Sequence, residues 1–219
     1  MELMEASLQS SANTPPGADV GEKGQAASFR RHAVLRDGTK VCMRAIRPDD
    51  KDRLRIAFGR LSPESVYQRF LHPLTELTPG YLRHLTELDF RDHVGLVLTI
   101  EEETGERLIA VCRFVRVAPG GDRAEVGFAV ADEYRHRGAA TLLLQQLVAI
   151  ARDCGIREFV AQVLDDNLDM LRVFQNSGLP FRQRIETGSR HVALTLTPER
   201  RRIADCDLQS ACTCRVLSE

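Results

Sequence analysis

A chain of 219 residues is long enough for one domain with a substantial core and some tail. Its 43% hydrophobic and 28% charged residues fit a globular protein, and 30 basic against 31 acidic side chains (formal net charge −1) give no basis for nucleic acid or an anionic membrane as a general partner. No apolar run approaches the roughly 20 residues of a membrane span.

The start, MELMEASLQSS, lacks the basic end and apolar centre of a signal peptide, so a cytoplasmic location is the default expectation. The six cysteines then read as reduced thiols, with Cys42 and Cys112 as small core hydrophobes. Cys206, Cys212 and Cys214 cluster near the end, but their spacing does not match a zinc knuckle, and no metal site is expected. Residues 1 to about 28 carry no apolar period and read as a flexible leader. The domain is expected over 29–200, followed by a tail over 201–219. The sequence carries no signature of oligomeric state.

Within the domain, His32–Leu35 and Val41–Ile46 flank Asp37-Gly38, a two-residue hairpin signal. Pro48 and Asp49 open a helix with Leu54, Ala57 and Leu61 on its apolar face. Ser62-Pro63 and Thr78-Pro79 each place a cap before a helix-opening proline, the second leading into a helix over Tyr81–Leu88. Val94–Ile100 and Leu108–Val117 are β-rich and joined by a turn at 102–105. Gly120-Gly121 then leads into a strand over Ala124–Val130.

A helix of about 16 residues starts at Gly138, with Ala140, Leu143, Leu144, Leu147 and Ala151 as its buried stripe. Phe159–Leu164 is a strand, Asp165, Asp166 or Asn167 caps the next helix, and Gly178 ends that helix. Arg182–Glu186 and His191–Leu196 form a last hairpin. The fold class is α/β (α+β): a mixed, mostly antiparallel central sheet flanked by helices.

The chemistry concentrates where strand Ala124–Val130 meets the helix through Arg135-His136-Arg137-Gly138-Ala139-Ala140. A helix start leaves main-chain N–H groups open, and small residues there let a phosphate approach the backbone. Walker and dinucleotide-binding glycine patterns are both absent. The turn alone fits an anion nest and an ordinary strand-turn-helix junction with solvated arginines equally well.

Together with AEVGFAV before it and VLDDNLDMLRVFQNSGLPF after it, the turn RHRGAA resembles the GNAT acetyltransferases over Arg44 to about Leu196. IRPDD, LSPESVYQRF and TELDFRDHVGLV are similar to the branch that includes bacterial protein lysine acetyltransferases. The resemblance implies acetyl-CoA as acyl donor. The main chain of Phe128, Ala129 and Val130 would hold the pantetheine arm, and the 135–140 turn the pyrophosphate. Asn167 would reach the cofactor arm and Phe174 would line the thiol end, although Asn167 also suits a helix cap. The leader is too short for the nucleotide-binding regulatory domain that some members of that branch carry.

Strand alternation puts Glu125, Gly127 and Ala129 on one face and Val126, Phe128 and Val130 on the other. A bulge, common in this strand of the family, would break that phase beyond Gly127. The resemblance makes Glu125 the catalytic base. An exposed strand carboxylate is the plain alternative. The tyrosine that often serves as acid in the family has no counterpart in the helix holding Phe174, which leaves solvent or His136 for that role. The expected acceptor is a primary amine, a protein lysine or a small molecule. A sensor that binds acyl-CoA without turnover is a further reading, and Asp89 and Asp92 could attract a cationic amine or simply end a loop.

Overall fold

The computed structural model describes residues 26–103 and 105–196. The expected leader, the tail and Cys206, Cys212 and Cys214 fall almost wholly or wholly outside them. In chain order the elements are β1 (Arg30–Val34), β2 (Lys40–Ala45), α1 (Lys51–Gly59), α2 (Pro63–Phe70), α3 (Pro79–Thr86), β3 (His93–Glu102) and β4 (Gly105–Arg116). They continue with β5 (Arg123–Val130), α4 (Ala139–Asp153), β6 (Glu158–Leu164), α5 (Leu168–Gln175), β7 (Phe181–Glu186) and β8 (Ser189–Thr195). Single turns of tighter helix precede α1 and follow β5, at Pro48–Asp50 and Asp132–Tyr134.

All eight strands form one sheet in the order β1-β2-β3-β4-β5-β6-β8-β7. Every neighbouring pair is antiparallel except β5 and β6. The sheet is therefore mixed and mostly antiparallel, with five α-helices among the described residues.

Local signals set the element ends. Ser62 and Thr78 cap α2 and α3 by accepting from the main-chain N–H of Ser65 and Tyr81, and a proline follows each cap. Gly38, Gly155 and Gly178 turn the chain with positive φ, a conformation that costs glycine little. The expected turn at 102–105 is tighter, because Glu102 and Gly105 are already paired across the β3–β4 ladder. The first helix stops at Gly59, so Leu61 packs from the following loop.

Two cores lie on the two faces of the sheet. On one, Leu143, Leu144, Leu147, Val148 and Ala151 of α4 and Leu171 and Phe174 of α5 pack on Leu96, Phe114, Val126 and Phe159. Each such side chain stabilises the fold by about 1.5–3 kcal/mol. The stripe of α4 begins at the buried Ala139, not at Ala140, which is only partly buried and lines a cleft. On the other face, α1, α2 and α3 cover Val97 and Leu108 with Leu54, Val66, Phe70 and Leu82. A register shift beside Leu98 and Thr99 inserts Ile109 into β4. Leu108 thereby joins one core while Ile109 and Ala110 join the other.

The bulge expected in β5 is absent from its ladder with β4, which runs without a shift from Ala124 to Val130. The strand opens on its other side. Its parallel pairing with β6 covers only Arg123, Ala124 and Glu125, after which the two strands part. A buried ion cluster locks β2 to the turn before α1 and to β4: Arg44 grips Asp50 through two hydrogen bonds of 2.7 Å and also pairs with Glu106.

Candidate active site

The parting of β5 from β6 exposes main chain in the middle of the sheet. The N–H of Ala131 donates to Ile109, which fixes the parity of the β4–β5 ladder. The main-chain groups of Ala129 therefore turn to β4, while those of Phe128 and Val130 turn to the open side. These two residues, with Ala129 between them, present an extended edge that an amide-bearing chain can pair with, and β6 no longer blocks it.

At the end of that edge the chain makes its predicted turn. His136 and Gly138 both have positive φ, 59° and 90°, and α4 begins at Ala139. Histidine is among the few side chains that tolerate this region. The main-chain N–H groups from His136 to Thr141 donate to no protein acceptor among the described residues. They converge at the positive end of a 15-residue helix, the arrangement that binds a phosphate group.

The turn's side chains behave less uniformly. Arg135 reaches back to α2, donating to Ser65 at 2.7 Å and Gln68 at 3.1 Å, and pairs with Asp132. Arg137 pairs with Asp37 at 2.6 Å and lies over the Tyr134 ring. His136, largely exposed, faces Asp169 at 3.3 Å. Sequence reasoning missed Arg36, whose Nε lies 3.3 Å from where a Cβ on Gly138 would stand. The β1–β2 hairpin brings it there, and its own N–H donates to the carbonyl of Arg137. No local signal announced that contact.

Asn167 caps α5, its side chain accepting from the N–H of Met170 at 3.1 Å, and it lines the same cleft. Phe174 is 1% exposed and meets Phe128 edge to face, with centroids 6.0 Å apart. This aromatic pair closes the core end of the cleft.

Glu125, Gly127 and Ala129 share the face turned toward α2 and α3, as alternation predicts. The small residues do not leave empty space there. The Arg69 guanidinium lies against Gly127, and Arg113 faces Gly127 across the ladder. Tyr81, His84 and His93 complete this side, the two imidazoles 4.9 Å apart. Burial and the charge of Arg113 lower both histidines, His93 to about 2, so both are neutral near pH 7. Burial and Arg113 also draw Arg69 down to about 10, which leaves it cationic. Asp89 and Asp92 are otherwise engaged: Asp89 accepts from the N–H groups of Arg91, Asp92 and His93, and Asp92 pairs with Arg116.

Comparison with known proteins gives this geometry a context. A family model described as "Acetyltransferase (GNAT) family" matches residues 63–179. "Acetyltransferase Pat" of Mycolicibacterium smegmatis is 34% identical over 144 residues, 66% of this chain and 42% of that protein. "Acetyltransferase PA5475" of Pseudomonas aeruginosa is 30% identical over 124 residues, 57% of this chain and 66% of that protein. The matched segments thus span less than two thirds of these curated relatives. The crystal structure of the GNAT domain of S. lividans PAT superposes with a TM-score of 0.69 at 37% identity, covering 76% of this chain and 96% of that one.

Proposed function

The chain belongs to the GNAT acetyltransferase family, and from that premise we propose that it transfers an acetyl group from acetyl-CoA to a primary amine, with Glu125 accepting the amine's proton. The observation that carries this reading is the continuous open surface from the β5 edge at Phe128 and Val130 to the unpaired N–H groups of His136–Thr141. It suits a long ligand with amides at one end and a diphosphate at the other. Acetyl-CoA, when bound, supplies an activated acyl carbon and a thiolate leaving group.

The chain's residues supply the rest. Ala139 and Ala140 keep the helix start open to phosphate, and Arg36 adds a cation beside Gly138. Glu125 is the last residue of β5 paired with β6 and stands where the two strands part, on the face bordered by Arg69 and Arg113. Those guanidinium charges disfavour an ammonium nearby, and the carboxylate takes the proton as the amine becomes nucleophilic. The nitrogen forms its bond to the acyl carbon as the carbon–sulfur bond breaks, and the departing thiolate takes a proton from solvent. No described tyrosine stands in α5 to supply that proton.

The test is mass-spectrometric detection of acetyl transfer to a panel of small primary amines and lysine peptides. Transfer to at least one amine, strongly slowed at neutral pH by Glu125→Gln, is expected. Acetyl-CoA binding without transfer to any amine would replace the enzyme with an acyl-CoA sensor.

A further inference from the structure

The face of β5 that carries Glu125 holds two cations that form no ion pair among the described residues. Arg113 of β4 lies between two glycines, Gly95 across one ladder and Gly127 across the other. Gly127, lacking a side chain, leaves room for the Arg69 guanidinium, which reaches it from α2, while Leu88 and Ile46 fill the space over Gly95. Neither arginine makes a side-chain hydrogen bond or ion pair among the described residues. The Nη1 atom of Arg113 is buried without a partner. Arg69 and Arg113 repel each other, and Glu125, the carboxylate acting on Arg69, forms no ion pair with it.

Two neighbouring guanidinium groups, partly withdrawn from water and without an ion pair, gain from an anion that enters between them. Their planar donors match a carboxylate. Building on the acetyl-transfer reading, we propose that Arg69 and Arg113 form a subsite for a carboxylate carried by one of the two reactants, the amine acceptor or the acyl group of the donor. Gly127 follows Glu125 by two strand residues on the same face, about 6.6 Å away. An amine at Glu125 and a carboxylate at the arginines therefore fit a short ω-amino acid. A four-carbon dicarboxylic acyl group would approach the same two arginines from the donor side.

The experiment compares carboxylated compounds with neutral analogues. One arm sets 4-aminobutanoate against 4-aminobutanamide with acetyl-CoA; the other sets succinyl-CoA against butyryl-CoA with one neutral-chain amine. A third readout needs no turnover: calorimetric titration with glutarate, with and without CoA. The carboxylated member is expected to exceed its neutral analogue in kcat/KM by at least about tenfold in one arm, the worth of a single charge-assisted hydrogen bond. The arm that responds identifies the reactant. Arg113→Gln and Arg69→Gln should collapse that ratio toward one and remove glutarate binding, with Arg113→Lys keeping part of both. Ratios near one in both arms without glutarate binding would overturn the subsite, as would a preference that survives both substitutions or peptide acetylation indifferent to them. A chain that binds CoA but shows none of these effects loses only this inference, whereas one that binds no CoA loses the acetyl-transfer reading.

Discussion

A β-carbon built on Gly127 would stand 2.8 Å from Cζ of Arg69, so the absent side chain and the present guanidinium are one structural arrangement. Gly127 is not among the residues with positive φ, and alanine can adopt its backbone. Gly127→Ala should displace the flexible end of Arg69 while changing stability by no more than about 1 kcal/mol. Its effect on amine kinetics should not add to that of Arg69→Gln, because both remove one contact. Thermal unfolding and steady-state kinetics of the two single variants and the double variant check this.

Glu125→Gln keeps the shape of the side chain and removes the base. The rate at neutral pH should fall by about 10²–10⁴-fold, recovering in part as rising pH deprotonates the free amine, while acetyl-CoA affinity holds. A pH–rate profile identical to that of the unmodified protein removes Glu125 from the role.

The turn before α4 should be intolerant of a side chain at Gly138. With φ at 90° an L-residue is strained by about 1–2 kcal/mol, and its Cβ would press on Arg36. Gly138→Ala is expected to weaken acetyl-CoA binding by about tenfold or more, an amount set by that strain. Arg36→Ala should weaken it less, in a manner that fades at high salt. Calorimetry at two ionic strengths separates the two effects.

Asp50 is fully buried, and burial alone would raise its pKa, yet the paired hydrogen bonds and charge of Arg44 outweigh burial and hold it below the usual carboxylate range. Glu106 is lowered by the same arginine. Carboxyls lowered in the fold lend stability above the unfolded pKa of about 4 and lose it as pH falls through their folded values. Asp50→Asn should cost about 3–5 kcal/mol at pH 7 and flatten the stability curve below about pH 4. Asp52→Asn, which breaks an exposed pair with Arg55, should cost under about 1 kcal/mol. Chemical denaturation from pH 3 to 7 tests both.

The parts of this molecule that read well from sequence are those specified by neighbours along the chain. Asp37-Gly38, the caps Ser62 and Thr78, and Gly138 before an apolar helix each fix their backbone within a few residues. Alternation likewise sorted Glu125 from Val126 correctly. The face around Arg69 and Arg113 did not read because it is assembled from α2, α3, β3, β4 and β5. An arginine destined for a partly buried face looks the same in sequence as one in solvent. Arg69 and Arg113 have no motif of their own, and Arg36 reaches Gly138 only because the first hairpin lies against the turn. The parting of β5 and β6 was equally silent: the expected bulge concerned only the alternation beyond Gly127, and the strand opens where pairing with β6 ends at Glu125.

The central claim is that the β5 edge and the 136–141 turn together hold the acyl donor. Calorimetric titration of the intact chain with acetyl-CoA tests it most directly. Saturable one-to-one binding near micromolar affinity, weakened by Gly138→Ala and untouched by Glu125→Gln, is the predicted result. No heat of binding at high micromolar acetyl-CoA, or binding indifferent to Gly138→Ala, would contradict it.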